Sequence, residues 1–237
     1  MKDLFHFKQF CIDQYGCGMK INTDGVLLGA LIQPENPFSV LDIGTGTGVI
    51  AMMLAQRFPA AHIEAVEIDD SAATAAANNF LSSKFAERLQ IFQTSFQNFS
   101  KEHPGKKYDL IVSNPPFFIN SLKNPDQQKQ LARHTDTSLF EDLVTFSMNH
   151  LSSNGVCKFI LPVDAAKQVI IEGMRQGLHL QHVLTIRSSE LKPPHRQIIT
   201  LGLNDLKCSE LFFTIYSSEK VYSEEYKTAL KDFLTIF

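Results

Sequence analysis

VLDIGTGTG, residues 40–48, is the stretch that decides the fold of this 237-residue chain. It begins as a run of apolar residues that contains one acid, Asp42. It ends in three glycines at alternate positions, Gly44, Gly46 and Gly48. Glycines at this spacing let the backbone turn tightly and come close to a ligand. Apolar residues then recur at helical spacing, and the start of a helix offers unpaired N–H groups. The stretch therefore predicts a buried strand, a ligand-binding loop and a helix.

The same order of strand, turn and helix recurs along the chain, which is typical of an α/β domain with a parallel sheet. Residues 195–204 and 210–216 break this order, because both are strand-like and leave no room for a helix between them. We therefore expect the sheet to end in an antiparallel strand, followed by a helix at 223–235. The other predicted strands are 38–43, 62–68, 89–93, 108–112, 156–161 and 178–187, and the other predicted helices of the main domain are 47–58, 71–84 with Ser71 as N-cap, 141–151 and 164–176.

Two segments stand apart from this alternation. Residues 1–37, with a helix predicted at 23–32, are expected to form an N-terminal appendage that closes over substrate and cofactor, and residues 38–237 to form the main domain. Residues 114–136 contain three prolines and begin at a strand end, so they are predicted to form a long irregular loop. Loops at strand ends often carry function.

The composition limits the class of protein. With 22 Lys and Arg against 25 Asp and Glu, the formal net charge is -3, which provides no overall basic field and weakens the case for a nucleic-acid partner without excluding one. The four cysteines contain no C-x-x-C pair, so a reduced protein without a metal site is expected. No apolar run approaches the roughly 18 residues of a membrane span, and no signal peptide is visible. We expect a cytoplasmic protein that does not bind membranes and is a monomer by default.

The glycine loop and an acid further along the chain predict a nucleoside-containing cofactor. Glu67 ends the second predicted strand, 23 residues after Gly44, where a carboxylate can accept hydrogen bonds from both ribose hydroxyls. The third glycine comes one position earlier than in the G-x-G-x-x-G pattern of dinucleotide-binding folds. This spacing favours a cofactor other than a dinucleotide.

The pattern D-x-G-x-G-x-G resembles the first motif of class I S-adenosylmethionine-dependent methyltransferases. The resemblance implies that S-adenosyl-L-methionine is the cofactor and that Glu67 holds its ribose. Ile68 would pack on the adenine. Ser95 stands where that family often has an acid or Asn near the adenine amine, which leaves the contact open between Ser95 and packing by Phe96. The methionine part would lie on the loop formed by Asp42, Gly44, Thr45, Gly46 and Gly48.

SNPPFF, residues 113–118, resembles the N-P-P-[YF] motif of methyltransferases that act on planar nitrogens. A planar amine attacks a methyl group poorly, because its lone pair is delocalised. Hydrogen bonds from its two N–H groups to the Asn114 side chain and the Pro115 carbonyl would favour a tetrahedral nitrogen. The prolines restrict the backbone there, and Phe117 would stack on a flipped base. No general base is required, since the methylated amine can lose its proton to water.

Residues 5–32, FHFKQFCIDQYGCGMKINTDGVLLGALI, resemble the opening of the bacterial family that methylates N6 of adenine 37 in valine tRNA. This resemblance implies a Rossmann-like sheet of seven strands with a reversed final strand. It places Lys20, Thr23 and Asp24 at the mouth of the cofactor site, with Asp24 near the target amine and Lys20 able to meet a phosphate. Thr23 would lie near the methionine part and is also a candidate helix N-cap.

Three other functions remain open on the sequence. N-P-P-F also occurs in enzymes that methylate guanine N2 of ribosomal RNA, and N-P-P-Y in those that methylate glutamine of release factors. A catalytically silent RNA-binding module is the third alternative. For tRNA, the local net charge of +3 over 101–135, against the acids clustered at 64–70, predicts docking on the basic side. The expected contacts are Lys123, Lys129, Arg133, Lys192 and Arg196.

Overall fold

The structure, a computed structural model, describes residues 3–32, 36–116 and 125–237, and for 125–137 the backbone alone. The strands are β1 (Leu4–His6), β2 (Cys11–Asp13), β3 (Ser39–Ile43), β4 (His62–Glu67), β5 (Leu89–Gln93), β6 (Tyr108–Ser113), β7 (Leu151–Leu161), β8 (His179–Arg187), β9 (Pro194–Gly202), β10 (Ser209–Thr214), β11 (Tyr216–Ser218) and β12 (Val221–Tyr222). The helices are α1 (Thr23–Leu31), α2 (Val49–Arg57), α3 (Asp70–Leu81), α4 (Phe96–Glu102), α5 (Pro125–His150), α6 (Val163–Arg175) and α7 (Glu224–Leu230), with a 3₁₀ turn at Ala86–Arg88.

The central sheet has eight strands in the order β10-β8-β9-β7-β6-β3-β4-β5. The strands from β7 to β5 are parallel, and β9 is antiparallel to both β7 and β8. The α/β class and the reversed strand are therefore confirmed. The sheet has eight strands rather than the seven expected, because both edges of β9 are already paired. β10 consequently adds to β8, in parallel, at the edge of the sheet.

Helices cover both faces of the sheet and form two hydrophobic cores. One core joins the β1–β2 hairpin, α1, α2, α3 and α7, and the other joins α4, α5 and α6. The central strands β3 and β6 are buried along nearly their whole length, as expected for parallel strands covered on both faces. No helix in the described part of the chain has the length and apolarity to cross a membrane.

Two predictions about local structure in residues 38–237 were wrong. Residues 125–136, expected to be irregular, are the beginning of α5. Proline is favoured in the first turn of a helix, and the sequence that follows Pro125 is rich in helix formers. The N-cap of α3 is Asp69 rather than Ser71, because the Asp69 carboxylate accepts a hydrogen bond from Ala72 N at 2.8 Å. Residues 117–124 lie outside the described part of the chain.

The N-terminal segment is joined to the main domain through buried contacts. The rings of Phe7 and Phe10 stack at 4.5 Å in the same core as α2. Asn79, a buried residue of α3, donates hydrogen bonds to the carbonyls of Asp13 and Thr47, both at 2.9 Å. Its Oδ1 atom accepts a third bond from Asp13 N, also at 2.9 Å. One amide therefore holds the β1–β2 hairpin and the glycine loop in fixed relation.

We expect Asn79→Ala to lower the free energy of unfolding by about 2–3 kcal/mol, because the buried Thr47 carbonyl loses its donor and two bonds to Asp13 are lost. Urea denaturation of both proteins measures the change. Asn78→Ala, at an exposed position of the same helix, is the matched control and should shift the value by no more than about 0.5 kcal/mol. Equal losses in the two variants would contradict the assignment.

Candidate active site

A cavity of about 280 Å³ opens where β3, β4 and β6 reach their carboxyl ends. Because these strands are parallel neighbours, the loops that follow them meet at one edge of the sheet. Met19 from the N-terminal segment also lines the cavity, although its side chain is largely exposed. Of the predicted site residues, the cavity wall contains Gly44, Glu67, Ile68, Ser95, Phe96, Asn114 and Pro115.

The glycine loop is held by backbone hydrogen bonds to the neighbouring strand. Gly44 N and Thr45 N both donate to the carbonyl of Val66, at 2.9 and 3.2 Å. Gly48 has a φ of 90°, and a Cβ atom there would lie 2.5 Å from a ring carbon of Phe80. Gly48 is thus required both by its backbone conformation and by helix packing. It is not part of the described cavity wall, and neither are Thr23, Asp42, Thr45 and Gly46.

Asp42 lies beneath the loop and is fully buried. Its Oδ2 atom accepts hydrogen bonds from Thr45 Oγ1 at 2.6 Å and from Ala51 N, in the first turn of α2, at 3.1 Å. Within the described part of the chain, its Oδ1 atom is buried and has no hydrogen-bond partner. The pKa of Asp42 is raised to about 7, chiefly by burial. The hydrogen bonds from Thr45 and Ala51 lower this pKa, and the charge of Glu67 raises it. A carboxyl group with an unusual proton affinity therefore supports the loop.

Glu67 links the glycine loop to the start of α3. Its Oε2 atom accepts from Gly46 N at 2.8 Å, and its Oε1 atom from Asp69 N at 2.9 Å. Each carboxylate oxygen has a second acceptor position, so both remain able to meet hydroxyl groups. The next residue, Ile68, is 73% exposed although it is apolar, and it lines the cavity. Its side chain is therefore available to a planar ring, and it is not the core residue that its strand position alone suggests.

Asn114 follows β6 and faces the N-terminal segment. The buried Ser113 donates from Oγ to the carbonyl of Ile43 at 2.8 Å, which ties the end of β6 to the end of β3. Asn114 Nδ2 donates to Asn22 Oδ1 at 3.4 Å. Asn22, rather than Thr23, is the N-cap of α1, because its Oδ1 atom also accepts from Gly25 N at 2.9 Å. Phe117 lies outside the described residues.

Most of the predicted basic contacts that the structure describes form bonds within the protein. Arg196 Nε donates to Asp24 Oδ2 at 2.6 Å, which ties the first turn of α1 to β9. Lys20 forms an ion pair with Asp3. Lys192 is exposed in the loop between β8 and β9. Lys123 lies outside the described part of the chain, as do the side chains of Lys129 and Arg133.

The separation of negative charge at 64–70 from positive charge at 101–135 is weaker in the structure than the sequence suggests. Lys106, in the basic stretch, binds Glu64, in the acidic one, at 2.5 Å. Lys107 donates to the carbonyl of Asn149 at 2.8 Å. These two lysines therefore add less free positive charge than the local sum over 101–135 implies.

Sequence reasoning missed three residues of this region. Asn22 had a usable signal, since Asn is a preferred N-cap residue and Asp24, two positions later, places an acid in the first helical turn. Asn79 also had one, since Asn is a poor residue for the interior of an alanine-rich helix and is retained there for its hydrogen bonds. Met19 had none. No group of three or more His, Cys, Asp or Glu side chains that could hold a metal ion occurs among the described residues.

The fold and the site together define a methyltransferase, and the family model of the methyltransferase small domain matches residues 21–174. A curated relative from Pedobacter heparinus, "tRNA1(Val) (adenine(37)-N6)-methyltransferase", is 47% identical over 237 residues, which cover 100% of both chains. The chain belongs to the tRNA1(Val) (adenine(37)-N6)-methyltransferase family.

Solved structures with low sequence identity share the fold. A predicted O-methyltransferase from Agrobacterium tumefaciens, Atu636, has a TM-score of 0.66 at 15% identity, covering 89% of this chain and 96% of its own. The glycopeptide N-methyltransferase MtfA complexed with (S)-adenosyl-L-methionine has a TM-score of 0.56 at 13% identity, covering 80% and 98%. The comparison supports the methyltransferase architecture of the sheet.

Asp42 should make the stability of the protein depend on pH. Its pKa is raised in the folded state, so its protonation favours folding below about pH 4, and this stabilisation is lost as the pH rises through about 7. Relative to Asp42→Asn, the wild type should therefore lose roughly 2–3 kcal/mol of unfolding free energy between about pH 5 and about pH 8. Urea denaturation without cofactor measures this difference.

The matched control is Asp164→Asn, which removes a carboxylate at the surface. This variant should retain the pH dependence of the wild type. If Asp42→Asn and the wild type lose stability in parallel over the same range, the buried carboxyl group is not responsible.

Proposed function

We propose that this enzyme transfers the methyl group of S-adenosylmethionine to N6 of an adenine in tRNA, namely adenine 37 of valine tRNA. The observation that carries the proposal is the meeting of the glycine loop, Glu67 and Asn114 at one cavity. The target is supported by the name of the Pedobacter heparinus relative, which is similar to this chain over its whole length. We expect the enzyme to act as a monomer in the cytoplasm.

The cavity fits an adenine nucleoside. Glu67 provides two carboxylate oxygens for the ribose hydroxyls, and the exposed side chain of Ile68 and the ring of Phe96 provide apolar surface for the base. Ser95 is used as the N-cap of α4, where its Oγ atom accepts from Asn98 N at 3.2 Å, so Phe96 is the better candidate for the adenine contact. S-adenosylmethionine supplies an electrophilic methyl group on a sulfonium. The MtfA complex, with its bound (S)-adenosyl-L-methionine, supports this cofactor.

The methionine part of the cofactor would lie on the glycine loop. Gly44 forms part of the cavity wall, and Asp42 with Thr45 fixes the loop from below. Thr23 and Asp24 begin α1, whose N-cap contacts Asn114, and this contact supports their assignment to the mouth of the same site. Asp24 is engaged by Arg196, and we therefore assign it to holding α1 beside the target amine rather than to proton transfer.

The chemical step depends on position and polarisation. The Asn114 Oδ1 atom and the Pro115 carbonyl would accept the two N–H bonds of the target amine, which turns the nitrogen lone pair toward the methyl group. Because both acceptors follow a buried strand end fixed by Ser113, little reorganisation is needed when the base arrives. Phe117 would stack on the flipped base. The product amine loses its proton to water.

RNA docks, in this proposal, on the surface around the cavity mouth. β8 runs in the same direction as β7, because β9 is antiparallel to both. The loop that follows β8 carries Lys192, so it lies on the side of the sheet where the parallel strands reach their carboxyl ends and the cavity opens. Lys192 is exposed there and can meet a phosphate. Lys123, Lys129 and Arg133 occupy the segment that follows Asn114 in sequence and are assigned to the same surface.

Two variants should separate chemistry from docking in a labelled-methyl assay on unmodified valine tRNA. Asn114→Ala should reduce kcat by roughly 10²–10³-fold, because one preorganised acceptor is removed. Its affinity for S-adenosylmethionine, measured by calorimetry, should persist. Lys192→Glu should instead raise the KM for tRNA several-fold and retain kcat, because it opposes a phosphate contact.

Lys84→Glu is the control for charge. Lys84 is exposed and lies between α3 and β5, on the side of the sheet where the parallel strands begin, opposite to the cavity. Its KM for tRNA should equal that of the wild type. Retained activity in Asn114→Ala would remove Asn114 from the chemical step. Equal KM values for Lys84→Glu and Lys192→Glu would show that the loop between β8 and β9 does not contact RNA.

A further inference from the structure

We propose that Asn22 is a positioning residue that sets the orientation of the Asn114 amide. The inference rests on the catalytic role proposed for Asn114 and adds a second residue, from the N-terminal segment, to the same step. Asn22 does not touch the target amine in this proposal. It acts on the reaction through Asn114 alone.

The hydrogen bonds determine which end of each amide is the oxygen. Gly25 N is a backbone donor and cannot accept, so the Asn22 atom that it meets at 2.9 Å must be Oδ1. The Asn114 atom that meets the same oxygen, at 3.4 Å, must then be a donor, which is Nδ2. The Asn114 Oδ1 atom consequently lies on the other branch of the amide. This is the orientation in which Asn114 can accept a hydrogen bond from an amine.

The orientation matters because the two ends of an asparagine amide are similar in size and opposite in hydrogen-bonding character. If the Asn114 amide were rotated by half a turn, its NH₂ group would face the N–H groups of the target adenine, and no hydrogen bond could form. A single acceptor at Asn22 penalises that rotation. At 3.4 Å the bond is long for an N–H···O contact, and such bonds often tighten when substrate is bound.

Asn22 is itself held firmly by the surrounding structure. Its Oδ1 atom caps α1, and the residue before it, Ile21, donates its backbone N–H to the buried side chain of Gln14 at 2.9 Å. The ion pair between Asp24 and Arg196 fixes the first turn of the same helix. The N-terminal segment therefore presents one oxygen to the active site from a fixed position, which is what a positioning residue needs.

Two substitutions distinguish the two tasks of Asn22. Serine and aspartate are both good N-cap residues, so Asn22→Ser and Asn22→Asp should each keep the bond to Gly25 and the stability of α1. The serine hydroxyl lies closer to its own backbone and cannot reach Asn114, whereas an aspartate oxygen occupies the same place as Asn22 Oδ1. The pair is therefore matched for capping and differs in the acceptor offered to Asn114.

The experiment measures kcat, the KM for valine tRNA, the affinity for S-adenosylmethionine and the unfolding midpoint of both variants. We expect Asn22→Ser to lower kcat by about tenfold, the loss typical of one weak hydrogen bond in the transition state, with the other three quantities unchanged. Asn22→Asp should retain kcat within about twofold, since it restores the acceptor. A merely structural role would lower the unfolding midpoint and would not separate the two variants.

The proposal is overturned if Asn22→Ser has the kcat of the wild type, or if Asn22→Asp loses as much as Asn22→Ser. Asn114→Ala, measured in parallel, separates this failure from a failure of the proposed function. An inactive Asn114→Ala beside a fully active Asn22→Ser rejects the positioning role alone. An active Asn114→Ala rejects the role of Asn114 itself.

Discussion

The parallel alignment of β4, β3 and β6 is the constraint on which the whole site depends. All three strands end at one edge of the sheet, where β3 leads into the glycine loop, β4 ends in Glu67 and β6 is followed by Asn114. Two hydrogen bonds then fix the three strand ends to one another: Glu67 accepts from Gly46 N, and Ser113 donates to the carbonyl of Ile43. Backbone pairing therefore brings together the residues proposed to bind the cofactor and the motif proposed to bind the target.

This arrangement places polar groups in the interior, where they are expensive to bury. The buried carboxyl group of Asp42 satisfies one oxygen with Thr45 and Ala51 and leaves the other without a partner in the described structure. The buried side chain of Asn79 is better satisfied, since its amide makes three hydrogen bonds of 2.9 Å. An unpaired buried polar atom lowers stability, and such a loss is common where a loop must hold a fixed shape for function.

The sequence predicts this edge well and predicts its long-range partners poorly. Local sequence patterns show that strands alternate with helices, which indicates a parallel sheet. In such a sheet the glycine loop and Glu67, each at the carboxyl end of a strand, lie on the same side. The parallel pairing of β10 with β8 does not follow, because it depends on which edges are already occupied. Asp24 and Arg196, 172 positions apart, each suggested a separate role, and only the folded chain shows them paired. The role of Asn22 is only partly predictable from the sequence. Its capping of α1 is a local interaction, whereas its bond to Asn114 joins residues that are distant in the sequence.

The central claim is that this site methylates N6 of adenine 37 in valine tRNA, and the identity of the modified nucleoside tests it most directly. Unmodified valine tRNA, ribosomal RNA and a release factor would each be incubated with the enzyme and labelled S-adenosylmethionine, and the products would be digested and separated. We expect label only in N6-methyladenosine from the tRNA, and none from a tRNA in which adenine 37 is replaced by guanine. Label in N2-methylguanosine or in glutamine of the release factor would contradict the account.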